Sequence, residues 1–256
     1  PAPVGGTATT THAPSVLQDL LDRISALETA LAAETAARQN VDVILATVIM
    51  QHMDLLEHFS RDGDDISITG ANLHIVNGTG DTETTNGLGN VIVGYNESRI
   101  DPSIAPDDRT GSHMVVVGAE NNYSSFGGVV VGERNSTSGA YSSVTGGRDN
   151  VASGTWSSVS GGSVNHASGT RSSVSGGRKN TASGYASSVT GGGSNTASDF
   201  YSSVSGGNNN TASGNSSSIS GGQFNEASGL YSSISGGKKN RASGIYSSIS
   251  GGFQRM

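Results

Sequence analysis

The chain has 256 residues, of which 38 are Gly, 33% are hydrophobic and 5% are aromatic, so a layered core of Leu, Ile and Phe cannot be assembled and any fold must come from repetition. Cysteine is absent, which excludes disulfides, thiolate nucleophiles and Cys-based zinc sites. The formal charge of −7 is divided unevenly: residues 1–140 carry 6 Lys and Arg against 18 Asp and Glu, residues 141–256 carry 8 against 3, and the two parts are expected to meet different surroundings.

Residues 1–14 read as a flexible N-terminal segment, and a start at Pro1 without Met is expected of a processed or trimmed chain. Residues 15–60 carry a heptad pattern. Its 3,4-spaced positions hold Leu17, Leu20, Ile24, Leu27, Leu31, Glu34, Arg38, Val41, Leu45, Val48, His52, Leu55 and Phe59. Pro14-Ser15 opens the helix, Asp62-Gly63 lies beyond its end, and the length predicted is about 65 Å. The apolar face widens to Ile49 and Leu56 after Ile44, which favours more than two strands, and three is the expectation. The predicted trimer core is therefore Leu17, Leu20, Ile24, Leu27, Leu31, Val41, Leu45, Val48, Leu55 and Phe59. Glu34 and Arg38 are expected to pair between chains, and His52 to form a register-fixing polar layer in preference to an ion site on the axis.

Residues 61–85 read as a connector entering the next part; its "DGDD" (62–65) is taken as solvated rather than as a Ca²⁺ loop, for it lacks the rest of an EF-hand. Residues 86–140 hold irregular coils at "GNVIVGYN" (89–96), "SHMVVVGAEN" (112–121) and "GGVVVGERN" (127–135), with 97–110 looped out. The step from Gly118 to Gly132 is 14 residues, and the solenoid is expected to begin near Ile66. "GSHM" (111–114) matches a cloning scar, but its place inside a coil marks it as native.

From 141 to 256 one unit recurs at every fifteenth position: Ser-Ser-Val/Ile, a Gly pair, an Asn and Ala-Ser-Gly, with Asp199 the one departure from the final Gly. The triplets end at Val144, Val159, Val174, Val189, Val204, Ile219, Ile234 and Ile249, the predicted core of the roll. This period suits one coil of a β-solenoid with two short strands, the second centred on the Ala, and two tight turns. The glycines fit turns that need a positive φ, and the recurring Asn can stack into a ladder. Eight coils at about 4.8 Å make a rod of about 40 Å. One inward Val or Ile and one Ala bury little apolar surface against the entropy of ordering a coil, so the sequence predicts that chains share burial.

The units "SSVSGGRKNTASG" and "GGVVVGERN" resemble the head repeats of trimeric autotransporter adhesins of the YadA-like type, with pattern S-V-A-I-G-x-x-S-x-A-x-G, over roughly residues 86–256. The resemblance implies a mainly β fold, a trimeric parallel and left-handed β-roll, here preceded by an α-helical coiled coil. The present unit is one residue longer than that family's, and Gly146 and its equivalents stand where the family puts Ile. A coiled coil ahead of the roll, without membrane-anchoring strands behind it, is similar to trimeric fibres held by their N-terminal end, such as phage tail fibres.

No chemistry-bearing constellation emerges. "GLGNVIVG" (87–94) lacks a dinucleotide-site context, no phosphate-binding G-x-x-x-x-G-K-S/T is present, and no nucleophile elbow has His and Asp partners. His12, His52, His58, His74, His113 and His166 are scattered, and serines at strand surfaces are read as solvated. Among the Asn-x-Ser/Thr matches are Asn77, Asn96, Asn122 and Asn135, expected by accident in a Ser-rich chain. Neither an enzyme, a cofactor, a metal nor a nucleic-acid partner is expected, and no run of 18 apolar residues offers a membrane span.

Recognition, if present, falls on the variable turn pairs after each Gly-Gly, from Arg148-Asp149 to Phe253-Gln254. Arg178-Lys179 and Lys238-Lys239 lie four coils, about 19 Å, apart. With Arg148 they are candidate contacts for anionic glycans, although keeping the rod soluble is the simpler reading. Trp156, Tyr185, Phe200, Tyr201, Tyr231 and Tyr246 precede Ser-Ser and are expected to pack between chains rather than stack on sugars. The function expected is adhesion by an extracellular homotrimeric fibre, on a cell surface or virion, with host or prey glycans or matrix proteins as partners. The alternative is a purely structural shaft carrying a further tip, favoured by the stop inside a repeat at "GGFQRM" (251–256). A remote alternative is ice binding on a flat solenoid face.

Overall fold

The structure is a computed structural model that describes residues 13–100 and 106–253. It divides into two compact units, Pro1–Leu73 and His74–Met256.

In the first unit α1 (Ala13–Leu56) is one helix of 44 residues. Its seam is open within the chain: Leu17, Leu20, Ile24, Leu27, Leu31, Val41, Leu45 and Val48 are all exposed, Leu27 by 69% and Leu31 by 66%. The side chains of His52 and Leu55 lie outside those described. Arg38 pairs with Glu34 along the same helix, Nη2 to Oε1 2.6 Å. Phe59 is not a helical seam residue either. It opens β1 (Phe59–Asp62), which pairs antiparallel with β2 (Asp65–Ile68) and sets Phe59 opposite Ile68. Gly63, at φ 58°, makes the two-residue turn between them, so "DGDD" is a hairpin tip. Ile66 therefore belongs to this hairpin and not to the solenoid.

The second unit is a parallel β-solenoid of about nine coils. Its first parallel strand is β3 (Val91–Val93), which pairs with β4 (Val115–Ala119) and, through it, with the strand Val129–Glu133. From Ser143–Val144 onward a two-residue strand extends this sheet once per coil, down to Ser248–Ile249, giving 11 strands. A second parallel sheet of 9 strands runs from Asn122–Tyr123 to Arg241–Ala242. Register is strict: Val144, Val159 and Val174 stand in line in the first sheet, and Ala152, Ala167 and Ala182 in the second.

The two rows form the core. Val144, Val159, Val174, Val189, Val204, Ile219 and Ile234 are at most 1% exposed, the alanines at most 2%, and Ile249 closes the row half-buried. These two rows are the burial that the strands of one coil supply, and they close within a single chain. Upstream, where coils are less regular, Met114, Val116, Tyr123 and Val130 do the same work, and "GSHM" is integral to the coil.

The lengthening of the regular coil by one residue has a local cause. In the upstream strand Val130-Val131-Gly132 runs straight through, whereas Val144 is followed by Thr145-Gly146 before Gly147. The added residue interrupts the strand, and pairing resumes only as a single bridge from Glu133 to Arg148. The second Gly of each pair is demanded twice. Gly177 has φ 83°, and a Cβ there would lie 2.2 Å from the Gly192 carbonyl oxygen of the next coil.

Behind this turn each Asn is buried. The Asn165 amide N–H donates to Asn150 Oδ1 (3.0 Å), while Asn165 Nδ2 donates to its own coil's Gly161 (2.9 Å) and to Gly177 of the next (3.0 Å). The ladder starts earlier than the repeat: Asn121 N–H donates to Asn96 Oδ1 at 2.7 Å and Asn135 N–H to Asn121 Oδ1 at 3.0 Å. Asn77, Asn96, Asn122 and Asn135 are at most 5% exposed and their amides are engaged, which closes these four glycosylation matches, whereas exposed Asn209 and half-buried Asn215 also match Asn-x-Ser/Thr and are not closed by burial. The first Ser of each Ser-Ser is likewise buried, against the expectation of solvated serines. Ser187 and Ser202 donate to carbonyls of Gly184 and Asp199, while the hydroxyls of Ser142, Ser157, Ser172, Ser217 and Ser232 have no partner among the described residues.

Candidate functional site

Variation falls on the surfaces built by two turns per coil and on the outer face of the second sheet. At both turns a non-Gly residue takes a positive φ, because its N–H points back to the preceding coil while strand N–H groups point forward. Lys179 N–H donates to Ser163 O at 3.0 Å and Trp156 N–H to Ala140 O at 2.9 Å, whereas Ser173 N–H donates onward to Ser187 O at 3.0 Å. Positive φ at such residues costs about 1 kcal/mol or more each, which the surrounding hydrogen bonds must outweigh.

The first turn edge carries the predicted cations. Arg148, Ser163, Arg178, Gly193, Asn208, Gln223 and Lys238 bridge one to the next in a single row. Lys179 (φ 58°) and Lys239 (φ 59°) stand beside it. All five predicted cations are exposed, but the geometry does not treat them alike. Asp149 receives Arg134 through Nε (2.8 Å) and Nη2 (3.0 Å) and lies 3.3 Å from Arg148 Nε. Arg148 is therefore partly neutralised. The Arg134–Asp149 pair was missed in the sequence because Arg134 lies in the last irregular coil, one full coil upstream.

The second turn edge carries the aromatic residues. Ser142 N–H closes a turn on Gly139 O at 3.1 Å, and the residue before it, Tyr141, has φ 56°. That position prefers Gly or Asn in a type II turn. Here it holds Tyr141, Trp156, Arg171, Tyr201, Tyr231 and Tyr246 in six of eight coils. The rings pack on one another along the edge, within one chain. Arg171 lies 5.2 Å from the Trp156 ring centroid and 5.7 Å from that of Tyr185, and its Nη1 donates to Tyr185 Oη at 2.6 Å. Tyr185 then stacks on Phe200 (5.7 Å, 30°), and Tyr231 on Tyr246 (5.0 Å, 6°). Tyr185 is half-buried rather than exposed. Arg171 as the centre of this ladder was legible only as the one cation among the aromatic positions.

The outer face of the second sheet places His166, Thr181, Thr196, Thr211, Glu226 and Arg241 in line. Three threonines flanked by ionisable groups make a short row, and Arg241 pairs with Glu226 at 3.3 Å. On the first sheet the outward residues change along the roll. Val91, Val93 and Val115 are exposed in the irregular coils, and Ser and Thr follow from Ser143 and Thr145.

Among the described residues no group of three or more His, Cys, Asp or Glu is placed to hold a metal ion, and no helix is long and apolar enough to cross a membrane. No family model matches the chain, and no curated protein matches it.

Proposed function

We propose that this chain is a segment of an extracellular trimeric fibre that acts in adhesion, presenting repeated weak contacts from a stiff β-roll, as its resemblance to YadA-like heads implies. The observation that carries the reading is the division of labour within each coil. Val or Ile, Ala, Asn and the second Gly are fixed and buried or sterically required, while chemical variety sits on the two turn edges and on the outer row of the second sheet. Repetition of weak contacts along such a frame supplies avidity.

Three features support self-association. The α1 seam of Leu17, Leu20, Ile24, Leu27 and Leu31 is exposed in one chain, as a coiled-coil seam must be before it meets partners. The outward face of the first sheet begins with exposed Val91, Val93 and Val115. At Gly161, Gly176, Gly191, Gly206, Gly221 and Gly236 the first Gly of the pair has neither a positive φ nor any atom within 4 Å of a built Cβ. Its recurrence has no reason within one chain, and close approach of a neighbouring chain supplies one.

Light scattering on a sizing column tests this. A mass near three times 25.8 kDa, with binding of the trimer to cell or glycan surfaces, is the expected result; a folded monomer would overturn the trimer. A structural shaft is the second reading, favoured by the neutralisation of Arg148 by Asp149 and of Arg241 by Glu226, and a trimer that binds no surface would establish it.

A further inference from the structure

The second turn edge between Trp156 and Tyr201 has chemistry of its own. Trp156, Phe200 and Tyr201 are 52%, 52% and 58% exposed, although each large side chain there could be a Gly at no cost to the core. At Trp156 and Tyr201 the backbone also sits at φ 57° and 54°, where a Gly would relieve strain. The chain uses Gly freely at positive φ elsewhere, so strained aromatic positions on one edge call for a reason outside the fold.

The edge is also ordered before anything binds. The Trp156–Arg171–Tyr185–Phe200 ladder fixes each side chain against the next coil, which lowers the entropy lost on association. Its flat apolar surfaces alternate with hydrogen-bonding groups: the Tyr hydroxyls, the Arg171 guanidinium and the hydroxyls of Thr155 and Thr170. The one carboxylate on this stretch, Asp199, accepts the Phe200 amide at 2.7 Å. Neutral, flat and amphipathic is the chemistry of a pyranose ring, and rungs repeat at about 4.8 Å, comparable with one sugar along an extended chain.

We propose that this edge binds a neutral, β-linked polysaccharide laid along the roll axis, the sugar rings resting on the ladder centred on Arg171 and Tyr185. The inference rests on the adhesive reading above and names its ligand class. It stands as the alternative to packing of these aromatics between chains.

Trp156 is the single Trp of the chain, so its fluorescence reports this edge alone. The full chain is titrated with cellohexaose and with chitohexaose, with heparin as the anionic control. A saturable change in emission with either neutral oligosaccharide, unaffected by added salt, is expected. Tyr185→Ser and Phe200→Ser each weaken it about tenfold, with unchanged circular dichroism and melting. Silence towards both neutral sugars overturns the proposal. A response to heparin alone, abolished by salt, also overturns it, in favour of an anion contact at Arg171. Protection of Trp156 from acrylamide in the free protein would place the edge between chains and overturn it as well. If the chain still adheres to cell or glycan surfaces while Trp156 stays silent, the ligand assignment fails and the adhesive reading stands.

Discussion

The backbone N–H of Asn180 donates to the side-chain oxygen of Asn165 at 2.9 Å, and the Asn180 oxygen in turn accepts the N–H of Asn195 at 3.0 Å. No other side chain fits this place. Its two amide hydrogens also satisfy Gly176 O (2.9 Å) and Gly192 O (3.1 Å), so one residue closes groups of three coils. Asn180→Ala leaves Gly176 O and the Asn195 N–H without their partner, while Gly192 O keeps the Arg178 N–H at 2.9 Å, and it is expected to destabilise the roll by about 3 kcal/mol. Asn180→Asp keeps the acceptor but loses both donors and buries a charge, so it is the worse variant at neutral pH and recovers partly on acidification. Urea unfolding at two pH values checks both; an Asp variant as stable as the parent at neutral pH would refute the ladder's role.

Adjacent glycines are expected to respond oppositely. Gly177→Ala meets a carbonyl at 2.2 Å in a backbone conformation that L residues avoid, and is expected to prevent that coil from stacking. Gly176→Ala meets nothing within 4 Å in its own chain. If chains did not approach there, it would be neutral or stabilise by about 0.4–1 kcal/mol through the unfolded state. The trimer reading expects the reverse: lowered melting and a smaller mass at low concentration, both measurable on one sample.

The buried serines separate in the same way. Ser172 hides a hydroxyl with no partner among the described residues, while Ser187 donates to Gly184 O at 2.8 Å. Ser172→Ala is expected to be neutral or slightly stabilising, and Ser187→Ala to cost about 1 kcal/mol. Equal melting shifts for the two variants would mean that both hydroxyls are bonded alike in solution.

These sites show what the sequence made legible. Strict recurrence of Val144 and its successors was enough to place the core, strand register and coil length, because a solenoid copies one local solution. The Asn ladder was visible for the regular coils, but its extension to Asn96 was hidden by the insertion that follows. Burial of Ser142 and its equivalents was missed because alternation in Ser-Ser-Val assigns a face only within the strand, and this Ser lies in the turn before it. Phe59 was assigned to the heptad because spacing continues past Leu56 for one more position, while the hairpin that captures it depends on pairing with Ile68. Ring stacking between coils could not be read either, since Arg171 and Tyr185 occupy different positions of their turns.

The looped insertion supplies a pH-dependent test. Burial works to raise the Asp107 carboxyl, yet hydrogen bonds from the Arg99 amide (3.2 Å) and Ser98, with the charges of Arg109 and Arg99, outweigh it and hold the group below the ordinary Asp range. Arg99 in turn reaches Glu120 O (2.8 Å) and Asn135 O (3.0 Å), tying the loop to the Asn ladder. A depressed carboxylate contributes stability that is present above its unfolded value, near 3.9, and is lost as pH falls through the lower folded value. Protection of the Arg99 amide from hydrogen exchange, corrected for the intrinsic rate, is therefore expected to be flat from pH 7 to about pH 4 and to fall below it. Asp107→Asn should start with lower protection and lose the acid-dependent fall. Protection that drops equally in parent and variant would assign the effect to another group.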